Sequence, residues 1–361
     1  MGCPSIPDLI AATTCAIVVG SLADRLIGDP RRMPHLVRGI GRLISAAEQR
    51  LRPIPVIRTK SGSPADHRGL AERSRGTLLV TVVLLISAAS TLLLLVVAYW
   101  ISIWLGILVE AILCFQCLAV KSLHHDSTAV QSSLEAGALA QARQQASMIV
   151  GRDTDNLDAQ ALARAGVETV AENTSDAVVA PLMAMMVAGG VGGVVCKAVN
   201  TMDSMIGYRD ERYIDFGRSA ARLDDCVNWV PSRIAACLMI AAAWLTRHPR
   251  RSGRTVSVDN TGNDWRQAVH IWCRDRRKHS SPNSAQTESV CAGALNIQLG
   301  GPATYGGKPH DKPALGDPIR PICASDIARA NTLMSMTGWL ALVLVAAVRV
   351  AVWGVIIHAT Q

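Results

Sequence analysis

Charge is what this sequence has least of. Asp, Glu, Lys and Arg make up 18% of its 361 residues, against roughly 25% in an average soluble domain. The deficit is local. Thr77 to Val109 carries no charged side chain at all, a run longer than the ~20 apolar residues that one spanning helix needs. Aromatic residues are scarce too, at 4%, which leaves few faces for stacking nucleic-acid bases. The net charge of +8 is therefore no argument for a nucleic-acid partner. Its basic residues crowd 31–75 and 247–278, beside apolar stretches, which is the distribution of the positive-inside rule. The ten cysteines are scattered and show no disulfide framework. Cys114 and Cys117, with His124 and His125 downstream, lack a second cysteine pair and read as small buried hydrophobes instead of zinc ligands. Strand-like alternation and internal repeats are also missing, so the fold is expected to be nearly all helix.

What is present is apolar, and it divides into segments. The pattern predicts an all-α integral membrane protein: a polytopic helical bundle with broken or re-entrant helices and cytoplasmic helical loops. We read a single membrane-embedded domain over 1–361. Spans are expected at 9–27, 77–97, 101–120 and 333–357, with a hairpin turn near Tyr99, Trp100 and Trp104 at interfacial depth. No Lys or Arg precedes Leu9, so a basic signal region is not seen there. Arg349 is the one charge in 333–357 and must snorkel or face protein. The segments 177–196 and 227–246 differ. The first holds Pro181 and Gly189-Gly-Val-Gly-Gly193, the second Pro231 and Arg233. Both read as partial or re-entrant, since irregular backbone at membrane depth must be buried in protein or line a cavity. Polar loops are expected at 28–76, 121–175 and 247–332, with helices inside 121–175, a short helix at 285–298 and an extended Gly/Pro-rich loop at 299–321. The basic loops place the motifs on the cytoplasmic side of a cell (inner) membrane.

Three polar stretches lie against these apolar segments. Glu168, Glu172 and Asp176 are spaced four apart, which puts three acids on one helix face unless a cation or basic group sits among them. Lys197, Asn200, Asp203 and Ser204 share a face, and Arg218, Arg222, Asp224, Asp225 and Asn228 form the third set. Carboxylates and amides so close to apolar spans are costly unless paired. Mg²⁺ is a natural partner, because it takes one or two carboxylates together with substrate phosphates. Lys197, Arg218 and Arg222 suit phosphate oxygens. Mutual pairing of these acids and bases between packed helices is the competing reading. The glycine-rich run Gly300 to Lys308 is not a P-loop, since Pro302 and Pro309 stand where that motif needs Gly and Ser or Thr.

In order, these motifs resemble the adenosylcobinamide-phosphate synthase family, the cobalamin-biosynthesis proteins CobD and CbiB. The carriers are Gly28-Asp-Pro-Arg-Arg-Met-Pro-His35-Leu-Val-Arg38, Gly151-Arg-Asp-Thr154, Glu168 to Pro181, Lys197 to Tyr208, Ala220 to Pro231 and Ser281-Pro-Asn283. The sequence departs from the family pattern at Leu36 (usually Pro), at Ala177 (usually Gly) and at Ser284-Ala-Gln-Thr-Glu288, where Ala-Gly-Trp-Pro-Glu is usual. The resemblance implies ligation of (R)-1-aminopropan-2-ol phosphate, or the free amino alcohol, to a propionate carboxylate of adenosylcobyric acid. It further implies ATP as co-substrate, Mg²⁺, a corrinoid groove, lipid contact, and possible association with other enzymes of that pathway. On this reading the catalytic candidates are Glu172, Asp203 and His35. The substrate-binding candidates are Arg38, Asn173, Lys197, Asn200, Ser204, Arg222, Asn228, Ser281 and Asn283. The metal candidates are Asp29, Glu172, Asp176, Asp203, Asp224 and Asp225. A secondary transporter and an intramembrane phosphotransferase are the alternatives. The first would normally carry more spans and an inverted repeat, and the second an aspartate array of which Ala221-Arg222 with Asp224 and Asp225 is only a fragment. A non-catalytic scaffold is a third.

Overall fold

A computed structural model describes residues 5–28, 35–52, 65–208, 210–247, 263–305 and 308–360. Side-chain surroundings are described for all of these except 65–68, 303–310 and 360. Asp29 and residues 53–64 lie outside the described residues. Among the described residues the regular structure is helical apart from one two-stranded antiparallel hairpin. Among the described residues, five helical stretches are long and apolar enough to cross a bilayer: Ile6–Ile27, Gly69–Ile101, Ile103–Glu135, Ala159–Ile206 and Ser325–Ala359. The protein is thus a multi-pass helical membrane protein. Chain contacts divide it into two compact units, one of Met1–Leu118, Ala180–Val227 and Leu344–Gln361, the other of Ala119–Val179 and Asn228–Val343.

The first unit contains α1 (Ile6–Ile27), α2 (Leu36–Leu51), α3 (Ala65–Ile101), α4 (Ile103–Cys117), α8 (Ala180–Ile206), α9 (Arg218–Val227) and the end of α13 (Ser325–Thr360). Helix α1 starts with a capping box, in which Ser5 and Asp8 satisfy each other's backbone N–H groups. Helices α3 and α4 form the hairpin, and Ser102 caps the second by accepting from the Trp104 N–H. Their outward leucines, and Trp100 and Trp104 at the turn, are exposed, the condition of a lipid-facing surface. Leu79 and Val83 of α3 pack with Ile40 and Ile44 of α2, Met202 and Ile206 of α8, and Ala220 of α9 in one core.

Helix α8 breaks where the glycines begin. Ala188 leaves helical geometry, and Gly189 takes φ +56° and ψ −146°. A side chain there would be strained and would collide with the Glu110 carboxylate. The later glycines of the cluster remain helical, so the expected break occupies two residues. Each broken end is met by charge. Glu110, fully buried on α4, accepts from the Gly190 N–H at 2.7 Å and the Tyr99 hydroxyl at 2.6 Å. Arg349 of α13 donates to the Met185 and Met186 carbonyls at 3.2 and 2.9 Å and to the hydroxyls of Thr13 and Thr14. An acid at a helix start and a base at a helix end match the local dipoles. Arg349 faces protein.

The second unit contains α5 (Val120–Glu135), α6 (Leu139–Ala146), α7 (Ala159–Asn173), a π-helical turn at Thr174–Val179, α10 (Trp229–Leu245), α11 (Trp265–Asp275), α12 (Ser284–Leu295) and the first part of α13. Helix α12 is buried along its whole length. The segment read as partial or re-entrant at 227–246 holds α10, which begins after a helix break at Asn228, bent by 45° from α9. The stretch 299–321 differs from the extended loop expected of it. Leu299–Tyr305 (β1) pairs with Lys308–Leu315 (β2), Tyr305 opposite Lys308, with an irregularity between Leu299 and Gly301. Gly300 and Gly301 take φ of +78° and +90°, which the kinked strand start requires.

Candidate functional site

In the second unit a cluster of carboxyls is built on the face of α7. Glu168, only 6% exposed, pairs with Arg152 at 3.0 Å and accepts from the Gly300 N–H at 2.7 Å. The positive φ of Gly300 allows that approach; a Cβ would overlap the Pro313 carbonyl. One turn on, Glu172 is half-buried and accepts from the Ser284 hydroxyl at 2.8 Å. Glu288, from the middle of α12, completes the group. Burial first, then the nearby charges of Glu172 and Glu168, push its carboxyl well above the ordinary range, with Lys312 and Arg152 opposing. Glu288 therefore holds its proton above the ordinary carboxylate range, the arrangement expected when carboxyls share a buried site. The basic group beside Glu168 is Arg152, supplied from the Gly151-Arg-Asp-Thr154 turn.

His279 stands beside this cluster. Burial and the charge of Lys312 lower its pKa, against the raising effect of Glu172 and Glu168. Its Nδ1 accepts from the Ser281 N–H at 3.1 Å, so the neutral ring carries its proton on Nε2 and acts as a donor. His35 resembles it in one respect. It caps α2, with Nδ1 accepting from the Val37 N–H at 3.3 Å.

The remaining candidates of this unit have defined places. Asn173 turns back on its own helix, donating to the Thr169 carbonyl at 2.9 Å. Asp176 is half-buried in the π-helical turn. Asn228 is buried, and its Oδ1 meets no donor among the described residues. Ser281 accepts from the Asn283 N–H at 3.3 Å. The buried Asn283 accepts through Oδ1 from Ser232 and Arg233.

In the first unit Lys197, Asn200, Asp203 and Ser204 lie along the last turns of α8, after its break. Lys197, Asn200 and Asp203 are half-buried, and Ser204 is exposed. Gly207 closes the helix with its N–H on the Asp203 carbonyl at 2.8 Å. A side chain at Gly207 would overlap the Asp203 carboxylate. Leu223 and Val227 of α9 pack into the core under this stretch, leaving Asp224 and Asp225 half-exposed and Arg222 exposed. Arg38 is exposed on α2, whose Ile40 and Ile44 share that core.

The residues named from sequence fall into two groups: Glu172, Asn173, Asp176, Asn228, Ser281 and Asn283 in one unit, and His35, Arg38, Lys197, Asn200, Asp203, Ser204, Arg222, Asp224 and Asp225 in the other. Among the described residues, no three His, Cys, Asp or Glu side chains gather as a metal-holding group. One or two carboxylates are what an ion such as Mg²⁺ takes from protein when substrate phosphate and water complete its shell. Sequence reasoning did not select Arg152, Ser284, Glu288, His279 or Lys312 as site residues. Glu168 and Arg152 did sit in quoted motifs, and Ser284 falls within the departure from the family pattern.

A multi-pass helical membrane protein with a buried, arginine-countered carboxyl cluster is the class that these features define. The sequence profile described as CobD/Cbib protein matches residues 17–334, and the chain belongs to that family. It is 40% identical to the cobalamin biosynthesis protein CobD of Yersinia enterocolitica over 95% of this chain and 100% of the relative. It is likewise 40% identical to the cobalamin biosynthesis protein CbiB of Salmonella typhimurium, over 95% and 99%. Identity to the CobD protein of Clostridium perfringens is 37%, over 92% and 97%. No solved structure matches the chain.

Proposed function

We propose that this protein acts in cobalamin biosynthesis as adenosylcobinamide-phosphate synthase, joining aminopropanol phosphate, or the free amino alcohol, to a propionate carboxylate of adenosylcobyric acid. The relatives' names support the pathway. The observation that carries the chemistry is Glu172: a half-buried carboxylate oriented by Ser284 and set beside protonated Glu288. Amide formation needs the substrate amine as the free base, and an amine arrives as an ammonium. Glu172 is placed to attract that ammonium and take its proton as the C–N bond forms. Neutral His279, with its proton on Nε2, suits a donor to the carboxylate or phosphate oxygen that gains charge.

Joining a carboxylate to an amine in water is uphill, so the carboxylate must first be activated. ATP is the proposed co-substrate. The propionate oxygen attacks the γ-phosphorus, and ADP leaves. The amine then attacks the acyl carbon, and phosphate leaves with the C–O bond's electron pair. Mg²⁺ supplies charge neutralisation on the phosphates when bound; Asp203 with Asp224 or Asp225, and Glu172 with Asp176, are the pairs suited to hold it. Lys197, Arg222 and Arg38 suit phosphate or carboxylate oxygens. The motifs are proposed to face the cytoplasm, where ATP is available.

The test is incubation of the purified protein with adenosylcobyric acid, aminopropanol phosphate, ATP and Mg²⁺, with mass detection of the amide. Product is expected from the wild type and not from Asp203→Asn or Glu172→Gln, both inserted normally. Absence of product with either amine, from protein that complements a deletion strain, would sink the reading.

A further inference from the structure

The second unit holds a cleft of about 540 Å³, lined by Trp229, Arg233, Trp272, Arg276, Arg277, His279, Ser280, Pro282 and Gln286, within the ~300–1,000 Å³ of small-molecule sites. Its lining contains three guanidiniums and no carboxylate. The nearest acid in sequence, Asp275, is engaged elsewhere: it is buried and bound by Arg274 at 2.7 Å, Lys278 at 2.6 Å and the Gly316 N–H at 2.9 Å. Like charges gathered in a concave, partly buried site favour an anion.

The cleft is also built, not a chance gathering of long side chains. Arg233 lies over the Trp229 ring at 4.2 Å, and Arg276 over the Trp272 ring at 4.7 Å. Nη1 of Arg233 is fixed by the Trp229 carbonyl at 2.5 Å, Ser232 at 3.2 Å and Asn283 at 3.3 Å. Trp272 donates to Gln286 at 3.0 Å, and Gln286 in turn donates to the Arg276 and Pro282 carbonyls, both at 3.2 Å. The Ser281-Pro-Asn283 motif thus acts on the cleft through Asn283, which holds an arginine. Flat aromatic faces beside oriented guanidiniums suit a ligand with both a π face and several phosphate charges.

We infer that this cleft binds a nucleoside triphosphate, with its base against the indoles and its phosphates on Arg233, Arg276 and Arg277. The assignment to the activating nucleotide rests on the ligase reading above. His279 lines the cleft and also feels the charges of Glu172 and Glu168, so the cleft adjoins the carboxyl cluster through this side chain.

The experiment uses the full chain in phosphatidylcholine nanodiscs. Photolabelling with 8-azido-ATP and peptide mapping should mark 229–233 or 265–286. Equilibrium binding of ATP should weaken at least about tenfold in Arg276→Gln/Arg277→Gln, whose side chains reach solvent. Trp272→Phe, which keeps a ring face, should weaken it less. Inorganic triphosphate should compete, and nanodiscs of phosphatidylglycerol should leave ATP affinity unchanged. Label mapped elsewhere, or wild-type ATP affinity in the double variant, overturns the inference. So does displacement of ATP by phosphatidylglycerol, which would make the occupant a lipid headgroup. The two readings fail separately: amide made with ATP bound elsewhere sinks only the cleft, whereas ATP bound here with no amide sinks only the ligase.

Discussion

Replacing Glu110 by alanine tests the broken helix directly. The carboxylate accepts from the Tyr99 hydroxyl at 2.6 Å and from the Gly190 N–H at 2.7 Å. That N–H begins the second half of α8 and has lost its helical partner to the break at Ala188 and Gly189. An interhelical hydrogen bond within a membrane is worth about 0.6–2 kcal/mol, and a buried backbone N–H left without an acceptor costs about 1–3 kcal/mol. The two donors together set the loss for Glu110→Ala at about 3 kcal/mol. Glu110→Gln keeps a carbonyl oxygen and should cost about 1 kcal/mol. Tyr99→Phe removes one donor alone, so a double-mutant cycle should return a Tyr99–Glu110 coupling of about 1 kcal/mol. The assay is reversible unfolding of the full chain in mixed micelles titrated with sodium dodecyl sulfate, followed by tryptophan fluorescence. A Glu110→Ala variant within about 0.5 kcal/mol of wild type, at unchanged slope, would refute the reasoning. The consequence reaches the site, because the half of α8 that Glu110 starts carries Lys197, Asn200 and Asp203.

Three further outcomes are expected. Arg152→Met strands the Glu168 carboxylate, which is 7% exposed at its side chain, and should destabilise the fold by about 3–5 kcal/mol, much of it recovered by adding Glu168→Gln; unfolding of the single and double variants measures this. Glu288 keeps its proton well above the ordinary glutamate value of 4.5, so the folded chain holds a proton that the unfolded chain releases. Stability should therefore fall as pH rises from that value through the raised one. Glu288→Gln should flatten the fall of the thermal midpoint as pH rises above 4.5, and an unchanged slope would show that Glu288 is already ionised in the folded chain. Gly207→Ala places a methyl group where the Asp203 carboxylate lies, so it should lose amide formation to the extent of Asp203→Asn while still inserting; near-normal turnover would mean that the position of Asp203 is not critical.

What could be read from the sequence follows the range of the forces involved. Long apolar runs such as 77–109 declare helices because backbone groups in lipid must be satisfied within the segment. The break in α8 was legible for a related reason: clustered glycines weaken a helix, and irregular backbone at membrane depth must be buried in protein or line a cavity. The hairpin at 299–315 was not legible, since its Gly and Pro content reads as a loop and its pairing is fixed by burial of Leu299 and Leu315. The site shows the same division. Four-residue spacing announced that Glu168 and Glu172 share a face and need a cation. Nothing local could say that the cation is Arg152, that the hydroxyl on Glu172 is Ser284, or that Glu288 is the third carboxyl. Those contacts come from how α12 packs against α7, and periodicity fixes a helix's buried face without fixing its neighbour's register. The histidines make the point from the other side. His35 drew attention by its place in a motif, whereas His279 belongs to the cluster through burial and Lys312. In both, one ring nitrogen is given to a backbone N–H, a contact that the sequence around neither histidine announces.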